Sequence, residues 1–136
     1  MTTMAYPWDA GDYAQHSAVQ ARWASELLVK LEWPLSHDVL DLGCGDGKVS
    51  ALLAGRVRQG SVTGIDASPE MVALACRYHA EKDTANLRFV QMDARELSFD
   101  RQFDVIFSNA VLHWIEEHPQ VLAGCQGALR PGGRLL

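Results

Sequence analysis

The nine residues Val39-Leu-Asp-Leu-Gly-Cys-Gly-Asp-Gly47 constrain the fold more than any other stretch of the chain. A short apolar run without polar alternation, closed by glycines, suits a strand buried on both faces, as in a parallel sheet. Gly43, Gly45 and Gly47 alternate, so the turn that follows lacks Cβ atoms where a ligand would approach its backbone N–H groups. The spacing is G-x-G-x-G, which departs from the G-x-G-x-x-G of dinucleotide-binding turns. Immediately after it, Val49, Leu52, Leu53 and Val57 mark one face of a helix.

The rest of the chain repeats this strand–helix alternation. Residues 12–33 read as an amphipathic helix whose apolar face is Val19, Trp23, Leu27, Leu28 and Leu31, stopped by Pro34. Ser61–Ile65 reads as a second strand. Asp66-Ala-Ser-Pro-Glu70 opens another helix, with Ser68 as N-cap, Pro69 in the first turn and Glu70 at the positive end of the dipole. Leu87–Met92 and Phe103–Phe107 are a third and a fourth strand. A helix over 116–129 then leads through the turn Arg130-Pro-Gly-Gly133 to Arg134–Leu136, the start of a fifth strand. No adjacent strands carry a hairpin signal, so the expectation is a single α/β domain over 1–136: three layers, α/β/α, around a mostly parallel sheet.

Composition narrows the function. Over 136 residues the formal charge is −5, with 12 Lys+Arg against 17 Asp+Glu, which offers no electrostatic case for nucleic acid. Cys44, Cys76 and Cys125 form no C-x-x-C pair and no His/Cys cluster with metal spacing, so no metal is expected and the thiols suit a reducing cytoplasm. The N-terminus lacks the basic and apolar regions of a secretory signal, and no apolar run approaches the roughly 18 residues of a membrane span.

Chemistry-bearing residues then fall at successive strand ends, where ligands of open parallel sheets bind. Asp41, just before the glycine turn, would repel a pyrophosphate and suits an ammonium group, which favours a zwitterionic amino-acid ligand. Asp66 ends the second strand, where a carboxylate accepts hydrogen bonds from ribose hydroxyls; the ordinary alternative is a helix cap. Asp93 ends the third strand, placed to accept from an adenine amino group, or else is a solvated loop aspartate. Met71 and Met92 would flank an adenine, with plain core packing as the alternative. Ser108-Asn109-Ala110 follows the fourth strand.

Taken together, Val39–Gly47, Gly64-Ile-Asp-Ala-Ser-Pro-Glu-Met71, Gln91-Met-Asp-Ala94, Phe103–Trp114 and Leu129-Arg-Pro-Gly-Gly133 resemble, in order, the motifs of class I S-adenosylmethionine-dependent methyltransferases. The resemblance spans 13–136. Trp8-Asp9 with Tyr13 and Ser108–Trp114 is similar to the branch holding trans-aconitate, malonyl-carrier-protein and juvenile hormone acid methyltransferases, which act on carboxylates of small molecules. It implies a Rossmann-like sheet in the order 3-2-1-4-5 and S-adenosylmethionine as cofactor. Gly43, Cys44 (by its backbone), Gly45 and Gly47 would line the methionine part, and Asp41 would help hold its amine. Asp66 with Ala67 would take the ribose, and Asp93 with Ala94 and Met71 the adenine. Asn109 would stand near the amino group, while Tyr13, His16 and Arg22 would close over the cofactor. His113 and Trp114 would position the acceptor; a carboxylate acceptor is already ionised and needs no base.

Family members continue through further strands that carry much of the acceptor pocket. The last strands are therefore expected to be missing here, leaving the fourth strand as an open edge prone to self-association. Two other readings share the architecture: a non-catalytic nucleoside-binding or regulatory module, and a nicotinamide-dependent oxidoreductase. The glycine spacing and Asp41 disfavour the latter.

Overall fold

The computed structural model describes residues 10–79, 85–108 and 115–136; the side chains of residues 10–17 and Gln20 lie outside that description. The elements are α1 (Ala10–Lys30), β1 (Asp38–Leu42), α2 (Lys48–Arg56), β2 (Ser61–Asp66), α3 (Pro69–His79), β3 (Leu87–Gln91), β4 (Phe103–Ser108), α4 (His118–Ala128) and β5 (Leu129–Leu135), with a 3-10 turn at Ala94–Glu96. All five strands are parallel, in the order β3-β2-β1-β4-β5. β1 therefore has β2 on one side and β4 on the other, and the winding reverses beside it. The Rossmann-like α/β sheet expected from the sequence is present.

Alternate residues of each strand build two cores. Val39, Val62, Val105 and Phe107 pack with Ala24 and Leu28 of α1, with Leu53 and Ala54 of α2 and with Val57 just after it. On the opposite face Leu40, Leu42, Ile65 and Ile106 pack with Val121, Cys125 and Ala128 of α4. Each fully buried Leu or Ile contributes about 1.5–3 kcal/mol relative to exposure. The helix ends are closed by side chains: Asn86 donates its amide to the carbonyls of Ala54 and Val57 at the end of α2, both at 3.1 Å, and Ser68 Oγ accepts from Met71 N at 3.3 Å, the N-cap expected for α3.

Three expectations are corrected. Of the apolar face expected for α1 only Leu28 is buried, at 1% exposure together with Ala24: Trp23 is 61% exposed and Leu27 53%, with Val19 and Leu31 also exposed. α1 lies against α2, and the close approach selects the strip carrying a small residue, Ala24, over the strip carrying Trp23.

The fourth strand is not an edge. β5 pairs with it in parallel, beginning at Leu129 directly after α4, so the helix ends one residue earlier than expected and the strand starts earlier. The Arg130-Pro-Gly-Gly133 turn survives as an irregularity in this ladder: the register jumps from Phe103↔Leu129 to Val105↔Arg134. Arg130 fastens the added strand, its guanidinium reaching Asp104 and Asp38 at 2.9 Å each, while Asp104 also accepts from Asp38 N at 2.8 Å. One side-chain network thus joins β5, β4 and β1, and Ser61 of β2 extends it by donating to Asp38 at 2.8 Å.

Candidate functional site

At the carboxyl end of β1 the chain makes the turn that its glycines foretold. Gly43, Gly45 and Gly47 have φ of 73°, 55° and 84°, all left-handed. A side chain in that region costs about 1–2 kcal/mol per residue, so three such positions within five residues demand glycine. Cys44 N donates to Ile65 O at 2.8 Å and Gly47 N to Cys44 O at 3.0 Å, which folds the loop down over the end of β2.

Asp66 then ties the loop to the second strand. Its Oδ2 accepts from Gly45 N at 3.0 Å and its Oδ1 from Ser68 N at 2.9 Å. Asp66 thus braces the backbone just ahead of α3, whose N-cap is Ser68, and Gly45 N–H is already engaged rather than open to a ligand. A carboxylate offers about four acceptor positions, so two backbone donors leave room for two hydroxyls.

Beneath the loop, Asp41 is 2% exposed and accepts from Ser50 Oγ at 2.6 Å. Burial pushes its pKa up to about 7; the Ser50 hydrogen bond opposes this, and the nearby Asp66 charge adds to it. Asp41 is thus poised between neutral and ionised near pH 7, where the sequence alone had suggested a standing charge. A cation brought beside it would favour the ionised form.

Asp46 was not singled out in the sequence, yet it is 4% exposed and organises the start of α2. Its carboxylate accepts from Lys48 N at 3.2 Å and pairs with Lys48 Nζ at 3.3 Å, placing negative charge at the positive end of that helix. The only sequence signal was its position two residues before the helix. Cys44 is buried, and burial raises its pKa, with the Asp41 and Asp66 charges adding to the effect, so the thiol stays protonated.

Asp93 is engaged within its own turn. Its side chain is partly exposed but not free: Oδ1 accepts from Arg95 N at 2.9 Å, and the guanidinium binds both oxygens, with Nη2 at 2.7 Å from Oδ2. These hydrogen bonds hold its pKa below the usual carboxylate range. An adenine amine would have to share the carboxylate with Arg95. Ala94 is buried beside it, Ala67 is exposed at the end of β2, and Met71 is partly buried in the first turn of α3. Met92 packs onto the core near Leu42 and Ile65, which favours its ordinary structural reading.

Arg22 faces outward on α1 and pairs with Glu26 at 3.9 Å, making no hydrogen bond to the glycine loop. Tyr13 and His16 lie in α1 with side chains outside the described residues; Asn109, His113 and Trp114 lie wholly outside them. Ser108, at the fourth strand end that the sequence marked, has Leu42 as its register partner, and its buried Oγ has no hydrogen-bond partner among the described residues. No group of three or more His, Cys, Asp or Glu is placed to hold a metal among the described residues, and no described helix is long and apolar enough to cross a membrane.

The site therefore combines a backbone-lined turn with Asp41, Asp46 and Asp66, and Lys48 pairs with Asp46. Such a surface opposes a pyrophosphate and suits a ligand bearing ammonium or sulfonium charge. Residues 39–133 match the methyltransferase domain family, and the chain belongs to it. It is 39% identical over 128 residues to a trans-aconitate 2-methyltransferase of Deinococcus radiodurans, covering 94% of this chain and 47% of that protein. The protein of the same name from Streptomyces coelicolor is 36% identical over 138 residues, covering 99% of this chain and 46% of its own. Among solved structures, a chain from the Haloferax volcanii complex of the Trm112 methyltransferase activator with a methyltransferase superposes with a TM-score of 0.82 at 28% identity, covering 93% of this chain and 55% of that one. The chain thus spans about half the length of the relatives it matches.

Proposed function

We propose that this chain is the S-adenosylmethionine-binding portion of a methyltransferase that esterifies a carboxylate of a small acid, with trans-aconitate as the leading acceptor. The observation that carries the cofactor reading is the left-handed glycine turn latched by Asp66 at the point where the sheet reverses. The acceptor reading rests on the names of relatives that are 34–39% identical.

When bound, the cofactor supplies a sulfonium whose methyl carbon is electrophilic. The glycine turn holds the methionine part by its backbone, and Asp41 takes the charged state when an ammonium group lies against it. Asp66 accepts from the ribose hydroxyls while still bracing Gly45. Asp93, already paired with Arg95, contributes a shared acceptor at the adenine edge, with Ala67, Ala94 and Met71 around the nucleoside. Asn109 stands near the amino group, and His113 and Trp114 orient the acceptor. Methyl transfer from that sulfonium would be a displacement for which alignment and exclusion of water by these residues would supply most of the acceleration. The reaction belongs in the cytoplasm, in keeping with three free cysteines.

Calorimetric titration with S-adenosylhomocysteine and, separately, with NAD tests the cofactor; binding of NAD alone would overturn it. Transfer of labelled methyl to a panel that includes trans-aconitate and other small di- and tricarboxylic acids tests the acceptor. Transfer to amines and to no acid would refute the carboxylate reading.

A further inference from the structure

His79 closes the last turn of α3, far along the chain from the glycine turn, and is 8% exposed. Its Nε2 lies 3.2 Å from the carbonyl oxygen of Asp46. A carbonyl only accepts, so Nε2 carries the hydrogen and donates. The imidazole also packs on Phe89 of β3, with ring centroids 5.7 Å apart.

Both rings press on the same spot. A Cβ placed on Gly47 would lie 2.5 Å from Phe89 Cζ and 3.0 Å from His79 Cδ2. The final glycine of the turn therefore rests directly on a shelf formed by α3 and β3. The peptide that His79 grips is the one whose residues start α2: Asp46 caps Lys48 N, and Gly47 O accepts from Ala51 N at 2.9 Å. Gly47 N in turn donates to Cys44 O at 3.0 Å, so a shift of this peptide is passed back into the loop.

We propose that His79 is a positioning residue for the cofactor turn: its Nε2–H fixes the Asp46–Gly47 peptide from behind, and so sets how Gly45 and Gly47 are presented to the cofactor. This rests on the cofactor reading above but concerns a residue outside the turn, which touches no ligand itself. The strand-end motifs do not contain it, because nothing in the sequence joins residue 79 to residue 46.

The test compares His79→Gln, which keeps an N–H donor at similar reach, with His79→Leu, which keeps apolar volume against Phe89 and removes the donor. In the free protein, amide hydrogen exchange at Gly47 and Lys48 should quicken about tenfold in His79→Leu relative to Leu40 of β1, and stay near wild type in His79→Gln. The dissociation constant for S-adenosylhomocysteine should rise about tenfold in His79→Leu, equivalent to ~1.4 kcal/mol, and less than about threefold in His79→Gln. Parallel quickening at Gly47 and Leu40, or equal behaviour of the two variants in both measurements, would overturn the assignment. If the wild-type chain fails to bind S-adenosylhomocysteine, the cofactor reading falls, and the exchange measurement on the free protein still decides whether His79 holds the turn.

Discussion

Replacing Asp41 by Asn should make the protein more stable at alkaline pH while weakening the cofactor site, and the size of the effect follows from burial. The folded-state pKa of about 7 stands against 3.8 for an ordinary aspartate, so the shift is upward. Between those values the native state holds a proton that the unfolded chain has released, and unfolding free energy therefore falls as pH rises. Three pH units at about 1.36 kcal/mol each give roughly 4 kcal/mol, absent below pH 4 and fully developed above pH 7. Asn keeps an acceptor for Ser50 Oγ but brings an amide N–H that needs a partner, which offsets the gain by about 1–3 kcal/mol at every pH. The difference between variant and wild type should thus grow by up to ~1.4 kcal/mol per pH unit from pH 4 to 7 and then level off. Urea midpoints measured at half-unit steps from pH 4 to 8 check it, since groups common to both proteins cancel. Parallel curves would mean that Asp41 ionises normally and that the buried carboxylate beneath the loop has been misread.

Asp66→Ala should weaken S-adenosylhomocysteine binding by roughly 1.5–3 kcal/mol, the scale of hydrogen bonds to a charged group, and Asp93→Ala by less, because Arg95 already occupies that carboxylate; calorimetry showing the reverse order would mean that ribose and adenine roles are exchanged. Arg130→Ala should free β5 from the sheet, seen as faster amide exchange at Arg134 and Leu135 with β1 unchanged; unaltered protection would show that backbone pairing alone retains the strand. At pH 8, iodoacetamide should modify exposed Cys76 and spare buried Cys44 and Cys125, and prompt alkylation of Cys44 would contradict a raised thiol pKa. Self-association should run through the β5 edge of the described sheet, so sedimentation should report its loss when Arg134 and Leu135 are replaced by proline; an unchanged association state would place the contact elsewhere.

The parts of the architecture that were legible in the chain were those written in neighbouring residues. The apolar run before Gly43, the alternation of three glycines, the Ser68-Pro69-Glu70 start of α3 and the absence of hairpin turns each reflect constraints acting over a few peptide units, so the parallel sheet and its glycine turn could be read directly. Other features depend on partners distant in sequence. Periodicity along α1 marked a stripe through Trp23, Leu27 and Leu28, but the distance of closest approach to α2 kept only Leu28 of these and added Ala24. Asp93 was placed correctly at a strand end, yet its occupancy by Arg95 depends on the 3-10 turn that brings the guanidinium back. Arg130 looked like part of a turn, and only the meeting of β5, β4 and β1 gave it two carboxylates. The same holds for ionisation: an aspartate in a list of residues carries a charge at pH 7, whereas Asp41, enclosed beneath the loop with one hydroxyl for company, keeps its proton until near neutrality, because the surroundings that set its solvation are assembled only when the chain has folded.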